Sequence, residues 1–139
     1  MKKYKIGYTQ GTFDLFHIGH LNLLNNAKKY CEILIVGVNS DELVKTYKNK
    51  ETNIKELDRA AIVNAIKAVD KVCITTTLDK EEILKSIKYD AIFIGSDWKG
   101  NQRWIETEKS LSKYNIDVIY LPHTDGISTT YLTNKIKDE

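Results

Sequence analysis

The alternation of strand-like and helix-like segments along the whole sequence limits most strongly what this chain can fold into. Short runs of β-branched and apolar residues predict five strands, and apolar residues three or four apart predict the helices between them. The run Ile33–Val38 is apolar throughout, which is typical of a strand buried on both faces of a parallel sheet. With right-handed crossovers all five strands would be parallel. We therefore expect an α/β fold: a single doubly wound domain over residues 1–139 with a five-stranded parallel sheet.

The order of the predicted elements indicates where a ligand would bind. The predicted strands are 4–10, 32–39, 71–74, 91–94 and 117–121, and the predicted helices are 18–30, 57–69, 79–88 (with Asp79 as N-cap), 103–114 and 128–137 (capped by Ser128). The polar segment 45–56 has no apolar period and is predicted to be a mobile loop. Sheets of this kind bind ligands at the carboxyl ends of the strands, so we expect the site in the loops after the first, fourth and fifth strands.

Composition excludes several classes of partner. The 21 basic and 19 acidic residues give a net charge of +2, which is too even for binding to nucleic acid or to a membrane surface. No apolar run approaches the roughly 20 residues of a membrane span, and no secretory segment is apparent, so a cytoplasmic location is expected. Cys31 and Cys73 are far apart and are predicted to be reduced thiols.

The loop after the first strand, Gly11–His20, carries the most specific motif. His17 and His20 are three residues apart at a predicted helix start, so they face the same side of its first turn. Gly19 between them lets a ligand approach the backbone, and the positive end of the helix attracts an anion. Donors fixed in this way would stabilise the charge that develops during substitution at phosphorus, with no covalent enzyme intermediate.

Two other interpretations of the histidine pair stay open at the level of sequence. A single histidine at such a position is most often a helix cap or a core residue. A zinc pair is the second alternative, but the third ligand is missing, since Cys31 lies on or after the helix and no other motif is near. We therefore predict no metal site built from protein ligands.

A second motif follows the fifth strand, in the segment Pro122–Thr130. Gly126 permits a tight turn, and Ser128 with the threonines after it surrounds a helix N-terminus, which suits phosphate oxygens. Taken alone, a serine before a helix is usually only a cap. However, all three histidines of the chain fall within the two motifs, the third being His123.

The two motifs together resemble a known family. Gly-Thr-Phe-Asp-x-x-His-x-Gly-His at positions 11–20 resembles the signature of the cytidylyltransferase branch of the HxGH nucleotidyltransferases. Positions 123–130 are similar to that family's Arg-Thr-Glu-Gly-Ile-Ser-Thr-Thr box, with His123 in place of arginine and Asp125 in place of glutamate. The resemblance extends over about residues 4–136 and implies a Rossmann-like form of the doubly wound fold.

The resemblance also implies a set of site residues. Lys48 would join His17 and His20 as a catalytic residue, and Asp41 would bind the acceptor. The residues assigned to the nucleotide are Gly11, Thr12, Phe13, Asp14, Gly19, Arg59, Asp97, Trp98, His123, Thr124, Gly126, Ile127, Ser128 and Thr129. The lysines after position 44 have the alternative interpretation of a solvated basic loop, and the tryptophan that of a structural residue.

The departure at position 123 affects phosphate binding. Arginine has a permanent charge and a bidentate fork, whereas histidine is only partly charged at neutral pH. We expect Arg103 or Arg59 to compensate for His123.

The resemblance implies an activity: transfer of CMP from CTP to a small phosphorylated alcohol, with release of pyrophosphate, Mg²⁺ on the triphosphate and a homodimeric enzyme. Glycerol 3-phosphate is the preferred acceptor because the chain resembles the short bacterial members of the family. One rival is an adenylyltransferase of the same superfamily that acts on another polyol phosphate or a flavin. The other is a non-catalytic nucleotide-binding module.

Overall fold

Five parallel strands form the centre of the fold in the computed structural model, which describes residues 2–122, 124 and 127–138. They lie in the order third, second, first, fourth, fifth, and each neighbouring pair is parallel. The predicted α/β class and five-stranded parallel sheet are therefore confirmed. The strands are β1 (Tyr4–Gly11), β2 (Cys31–Asn39), β3 (Lys71–Thr75), β4 (Ala91–Gly95) and β5 (Asp117–Leu121).

Helices cover both faces of the sheet. Leu24 of the first helix and Val63 of the third pack in one apolar cluster, and Ile83 of the fourth and Leu111 of the fifth pack in another. Within the described ranges, no helix has the length and apolar character needed to cross a membrane. The helices are α1 (Ile18–Lys28), α2 (Asp41–Lys48), α3 (Glu56–Asn64), α4 (Lys80–Ile83), α5 (Gln102–Ser112) and α6 (Thr129–Asp138), and a 3₁₀ turn spans Ser96–Trp98.

The prediction of a loop over residues 45–56 was wrong in its first part, because α2 continues to Lys48. Ser40 caps this helix: its side chain accepts a hydrogen bond from a backbone N–H of the first turn. Val44 is its one buried residue, and Asn49 ends it in the left-handed conformation (φ 53°). Because only one residue of this lysine-rich segment is buried, the sequence shows no apolar period that would predict a helix. The helix therefore depends on its cap and on tertiary contacts.

Three further sequence predictions can be compared with the structure. The helix predicted over residues 57–69 is α3 and ends earlier than expected, at Asn64. The helix predicted over residues 79–88 is α4 and ends at Ile83; both continue as hydrogen-bonded turns. Asp79 is the N-cap that was predicted, since its Oδ1 accepts hydrogen bonds of 3.0 and 3.2 Å from two backbone N–H groups of α4. Cys31 and Cys73 are free thiols, which confirms that prediction.

The strand order creates a crevice beside β1. The chain moves outward from β1 to β2 and β3, and then returns to the other side of β1 to form β4 and β5. The connections after β1 and β4 therefore diverge at the carboxyl edge of the sheet, where parallel α/β folds bind ligands.

The packing of Tyr8 against Gly37 gives a test of the sheet. A Cβ at Gly37 would overlap the Tyr8 hydroxyl oxygen, which donates a 2.8 Å hydrogen bond to Gln10. Tyr8 is fully buried, so the ring cannot move aside. We expect Gly37→Ala to lower the free energy of unfolding by about 1–3 kcal/mol in denaturant titrations. Glu32→Ala, at an exposed position of the same strand, should change it by less than about 0.5 kcal/mol. Equal stability of the two variants would contradict this packing.

Candidate active site

A cavity of about 480 Å³ opens at the carboxyl edge of the sheet. Its wall combines residues from the ends of three strands with residues of five α-helices. These include Gly11, Asn39, Ile94, His20, Tyr47, Trp104 and Thr129. The cavity is thus formed at the place where the strand order predicts a ligand site.

The two predicted catalytic histidines form the N-terminal cap of α1. The Nδ1 atom of His17 accepts a 3.0 Å hydrogen bond from the Gly19 N–H, and Nδ1 of His20 accepts a 3.2 Å bond from the His17 N–H. The rings are stacked with centroids 3.8 Å apart. Because both Nδ1 atoms are acceptors, the proton of each neutral ring is on Nε2. The interpretation as caps is therefore correct, and the caps fix the tautomer of both neutral rings.

The surroundings of His20 keep its ring neutral. The ring of Phe13 lies edge-on to it, with centroids 5.3 Å apart. Burial is the main cause that lowers the pKa of His20 to about 3, and the neighbouring His17 adds to the shift. Asp14 acts in the opposite direction, and Lys48 lowers the pKa further. The imidazole is thus a neutral donor in the free protein at neutral pH.

Gly19 is needed for the position of the His17 ring. A Cβ at Gly19 would lie 2.8 Å from Cε1 and 3.0 Å from Nδ1 of that ring. It would also lie 3.6 Å from Cγ2 of Ile127, a residue of the second motif. A side chain here would displace the imidazole, so the glycine serves both the cap and the contact between the two motifs.

Further contacts bring the two sequence motifs together. The hydroxyl of Thr129 donates a 2.6 Å hydrogen bond to the main-chain oxygen of Asp14, and Asn22 of α1 donates a 3.0 Å bond to the Thr124 hydroxyl. Ser128 is the N-cap of α6, since its Oγ accepts a 3.0 Å bond from a backbone N–H one turn on. The N-termini of α1 and α6 therefore lie at the same crevice. His123, Asp125 and Gly126 lie outside the described residues.

The carboxylate of Asp14 orders the loop between α2 and α3. Its Oδ2 accepts hydrogen bonds of 2.8 and 2.9 Å from the backbone and side-chain nitrogens of Asn53. Its Oδ1 accepts a 2.9 Å bond from the Ile54 N–H. Asp14 is buried in the cavity wall, but these bonds give its carboxylate a positioning role.

Arg59 lies beneath the cavity and is fully buried. Its Nε donates to the Ile54 oxygen (2.8 Å), and its Nη1 donates to the main-chain oxygens of Thr12 (2.7 Å) and Asn39 (2.8 Å). Its Nη2 donates to Asp41 Oδ1 (2.6 Å). Arg59 is not part of the cavity wall. We therefore assign it to positioning and not, as the sequence suggested, to nucleotide contact or to compensation at position 123.

Asp41 is held in the same network. Its backbone N–H donates to the Glu56 carboxylate (2.9 Å), while the Glu56 N–H donates to Asp41 Oδ2 (3.2 Å). Burial would raise the pKa of Asp41, but hydrogen bonds from Arg59, the Glu56 N–H and the Thr52 hydroxyl hold it below its ordinary value. Thr52 lines the cavity, but Asp41 does not. Thr52 therefore lies between the cavity and Asp41, the residue predicted to bind the acceptor.

Helix α2 brings Lys48 and Tyr47 to the cavity. The Tyr47 hydroxyl is 3.2 Å from Thr12 Oγ1 and accepts a 3.2 Å hydrogen bond from Asn39 Nδ2. Gln10 completes this network by donating to Asn39 Oδ1 (2.9 Å). Sequence reasoning did not assign Gln10, Asn39 or Tyr47 a role. The available signal was that two buried neighbouring strands each carry a polar residue at the carboxyl end, Gln10 in β1 and Asn39 in β2.

The connection after β4 forms the other side of the cavity. Trp98 lines it at 40% exposure, and the guanidinium carbon of Arg103 lies 5.3 Å from the centroid of its indole ring. Asp97 is exposed and is not part of the cavity wall; its Oδ1 would lie 2.6 Å from a Cβ at Gly95. Of the two predicted nucleoside ligands, the structure thus brings only the tryptophan to the cavity.

Two buried residues of the wall were not singled out from the sequence: Lys80 and Trp104, at 7% and 3% exposure. Lys80 follows a helix cap in a polar segment, as surface lysines commonly do. Its burial results from the packing of α4 against α5, which no local pattern encodes.

Comparison with known proteins agrees with this geometry. Residues 8–135 match the family model described as cytidylyltransferase-like. The chain is 38% identical to the glycerol-3-phosphate cytidylyltransferase of Bacillus spizizenii, over 89% of this chain and 91% of that protein. It is 36% identical to the bifunctional protein HldE of Helicobacter hepaticus over 99% of this chain, but the match spans only 27% of that protein's length. A lipopolysaccharide core biosynthesis protein from Thermoplasma volcanium superposes with a TM-score of 0.72 at 26% identity, covering 87% of this chain and 97% of that one.

The state of His20 is testable by NMR. Since burial lowers its pKa to about 3, its ring signals should not titrate between pH 8 and pH 5. The unfolded chain would bind a proton near pH 6.5, which the folded chain does not take up until about pH 3. The free energy of unfolding therefore has its full value, as far as His20 is concerned, above about pH 6.5, and it decreases as the pH falls from about 6.5 to about 3. A titration midpoint near 6.5 in the folded protein would contradict the assignment.

The positioning role of Arg59 predicts a loss of stability. Arg59→Met leaves three main-chain oxygens without their side-chain donor and removes the ion pair with Asp41, so we expect the free energy of unfolding to fall by about 2–4 kcal/mol. Lys55→Met is the matched control, because Lys55 is exposed one turn earlier and makes no side-chain capping bond. Denaturant titration of both variants measures the difference. Equal stability of the two would refute the network.

Proposed function

Because the chain belongs to the cytidylyltransferase-like family, we propose that it transfers CMP from CTP to a small phosphorylated alcohol, with glycerol 3-phosphate as the preferred acceptor. The observation that carries the proposal is the pair of Nε2–H donors of His17 and His20 at the start of α1, beside the start of α6. The similarity to a glycerol-3-phosphate cytidylyltransferase along nearly the whole of both chains supports the choice of nucleotide and acceptor.

The reaction is one substitution at phosphorus. An oxygen of the acceptor phosphate attacks the α-phosphorus of CTP, and a new P–O bond forms. The bond from the α-phosphorus to the bridging oxygen breaks, and its electron pair leaves with pyrophosphate. Negative charge that grows on the equatorial and leaving oxygens would be stabilised by His17, His20 and the N-termini of α1 and α6. Lys48, which lines the cavity together with His20, adds a positive charge.

Three expectations from the sequence stay predictions: Mg²⁺ and a homodimer, which the family resemblance implies, and a cytoplasmic location. In the described ranges, no group of three or more His, Cys, Asp or Glu side chains could hold a metal ion. Both carboxylate oxygens of Asp14 in the cavity wall already accept hydrogen bonds from Asn53 and Ile54. We therefore propose that Mg²⁺ enters with CTP, bound to phosphate oxygens and water, and neutralises part of the charge of the triphosphate.

Pyrophosphate release tests the activity. Each of the four nucleoside triphosphates is assayed against glycerol 3-phosphate and a panel of other alcohol phosphates. We expect release with CTP and glycerol 3-phosphate. Activity with ATP alone would replace the proposal by adenylyl transfer, and nucleotide binding with no release under any condition would indicate a non-catalytic module.

A substitution at His17 separates its two roles. Asparagine is a good N-cap whose Oδ1 can accept the Gly19 N–H, but it has no group equivalent to Nε2–H. We expect His17→Asn to unfold at nearly the temperature of the wild type, while kcat falls about 100- to 1,000-fold through loss of one transition-state donor. Steady-state kinetics and thermal unfolding measure the two effects. Normal turnover in the folded variant would remove His17 from the mechanism.

A further inference from the structure

Helix α6 carries an N-terminus that the proposed function assigns to phosphate, but the helix has little apolar packing. Over residues 129–137, whose side chains the structure describes, none is buried. None of them belongs to the two apolar clusters that join α1, α3, α4 and α5 to the sheet. Tyr131 and Ile136 are 50% and 60% exposed. The position of α6 must therefore depend on a small number of specific contacts.

Two side-chain hydrogen bonds connect α6 to other elements in the described part of the chain. The Thr129 hydroxyl donates to the main-chain oxygen of Asp14 (2.6 Å), and the Thr133 hydroxyl oxygen accepts a 3.0 Å bond from Asn53 Nδ2. The two threonines are four residues apart, so they lie on the same face of the helix, about one turn from each other. The first contact fixes where the helix begins, and the second fixes the direction of its axis.

Asn53 belongs to a strap, residues 49–55, which connects α2 to α3. The three residues before Asn53 line the cavity. The side-chain nitrogen of Asn53 has two protons, and both are used: one bond goes to Thr133 and the other, of 2.9 Å, to Asp14 Oδ2. The backbone N–H of Asn53 donates to the same carboxylate oxygen (2.8 Å). The strap is thus anchored on Asp14, and α6 is anchored on the strap.

Both attachments of α6 therefore lead back to one residue of the first motif. Asp14 accepts the Thr129 hydroxyl with its main-chain oxygen and holds Asn53 with its carboxylate. The partial charge of a helix N-terminus acts within about one turn, so its free N–H groups must point at the anion. A tilt of α6 about Thr129 would leave the helix start in place and turn these N–H groups away from the crevice. The bond at Thr133 opposes that tilt.

We propose that Asn53 is a positioning residue for the nucleotide: through its bond to Thr133 it holds the N-terminus of α6 toward the phosphate groups of CTP. This inference rests on the proposed function. Asn53 does not line the cavity, so it acts through α6 and not by contact with a ligand. It raises the affinity for CTP because the helix already has the binding orientation in the free protein, and the nucleotide does not have to order it.

A purely structural hydrogen bond would have a different signature. Its loss would lower the unfolding temperature and leave the affinity of the folded protein for CTP unchanged. Since no residue in the range 129–137 is buried, loosening α6 exposes little apolar surface. We therefore expect the opposite result: an unfolding temperature within about 2 °C of that of the wild type, and weaker binding of CTP.

Thr133→Val tests the bond with the smallest change, because valine has the shape of threonine and lacks the hydroxyl acceptor. Thr133→Ser keeps the acceptor and should behave as the wild type, and Tyr131→Phe is the control that removes a hydroxyl from an exposed side chain of the same helix. Calorimetry measures Kd for CTP with Mg²⁺, and pyrophosphate release gives KM for each substrate. In Thr133→Val we expect Kd and KM for CTP to rise about 3- to 10-fold, as for one lost hydrogen bond, while KM for glycerol 3-phosphate stays within about twofold.

A double variant and amide hydrogen exchange test whether the two side chains act through one contact. Asn53→Ala removes the same bond from the other side, and the backbone N–H of residue 53 still donates to Asp14. Adding Thr133→Val to Asn53→Ala should therefore change the Kd for CTP no further. In the absence of nucleotide, the amides of α6 should exchange faster in both single variants, while those of β1 keep the rates of the wild type.

The outcomes separate this inference from the proposed function. If the wild type binds CTP but releases no pyrophosphate, the proposed transfer fails, and the Kd values and exchange rates still decide the role of Asn53. An unchanged Kd for CTP in folded Thr133→Val, or wild-type exchange of α6 in both single variants, would overturn the inference. Additive effects in the double variant, or an equal loss of affinity in Thr133→Ser, would overturn it as well.

Discussion

The buried guanidinium of Arg59 fixes the carboxyl edge of the sheet, where the cavity lies. Arg59 joins the main-chain oxygens of Thr12, directly after β1, and Asn39, the last residue of β2, to the carboxylate of Asp41 at the start of α2. Burying this charge is costly, and four protein acceptors offset the cost. The loop that bears the histidines and the helix that bears Lys48 are therefore fixed relative to each other before any ligand binds.

The two histidines have a structural role and a proposed chemical role at the same time. By accepting backbone N–H bonds through Nδ1, His17 and His20 satisfy the start of α1 and set the tautomer that leaves Nε2–H as the donor. Burial keeps His20 neutral, so anion binding at this end relies on oriented donors and helix ends. Lys48 adds a full positive charge to the same cavity.

Much of this arrangement could be predicted from the sequence, and what could not has identifiable physical reasons. Strand and helix periodicity predicts the sheet, and the histidine motif places His20 at a helix start. Motif matching locates Asp14 and Arg59 near the site, but it does not distinguish a side chain that contacts a ligand from one that binds the backbone behind it. Helix α2 has a single buried residue, Val44, so periodicity missed it. The burial of Lys80 depends on contact between α4 and α5, which are distant in sequence.

We propose that the two imidazoles bind the phosphates of the nucleotide through Nε2. A crystal structure of the protein with a non-hydrolysable CTP analogue tests it most directly. We expect Nε2 of His17 and Nε2 of His20 each to lie about 2.7–3.2 Å from a phosphate oxygen, within the crevice shared with Thr129. Phosphates bound elsewhere in the cavity, with both rings still packed on each other and no oxygen within hydrogen-bond distance, would contradict it.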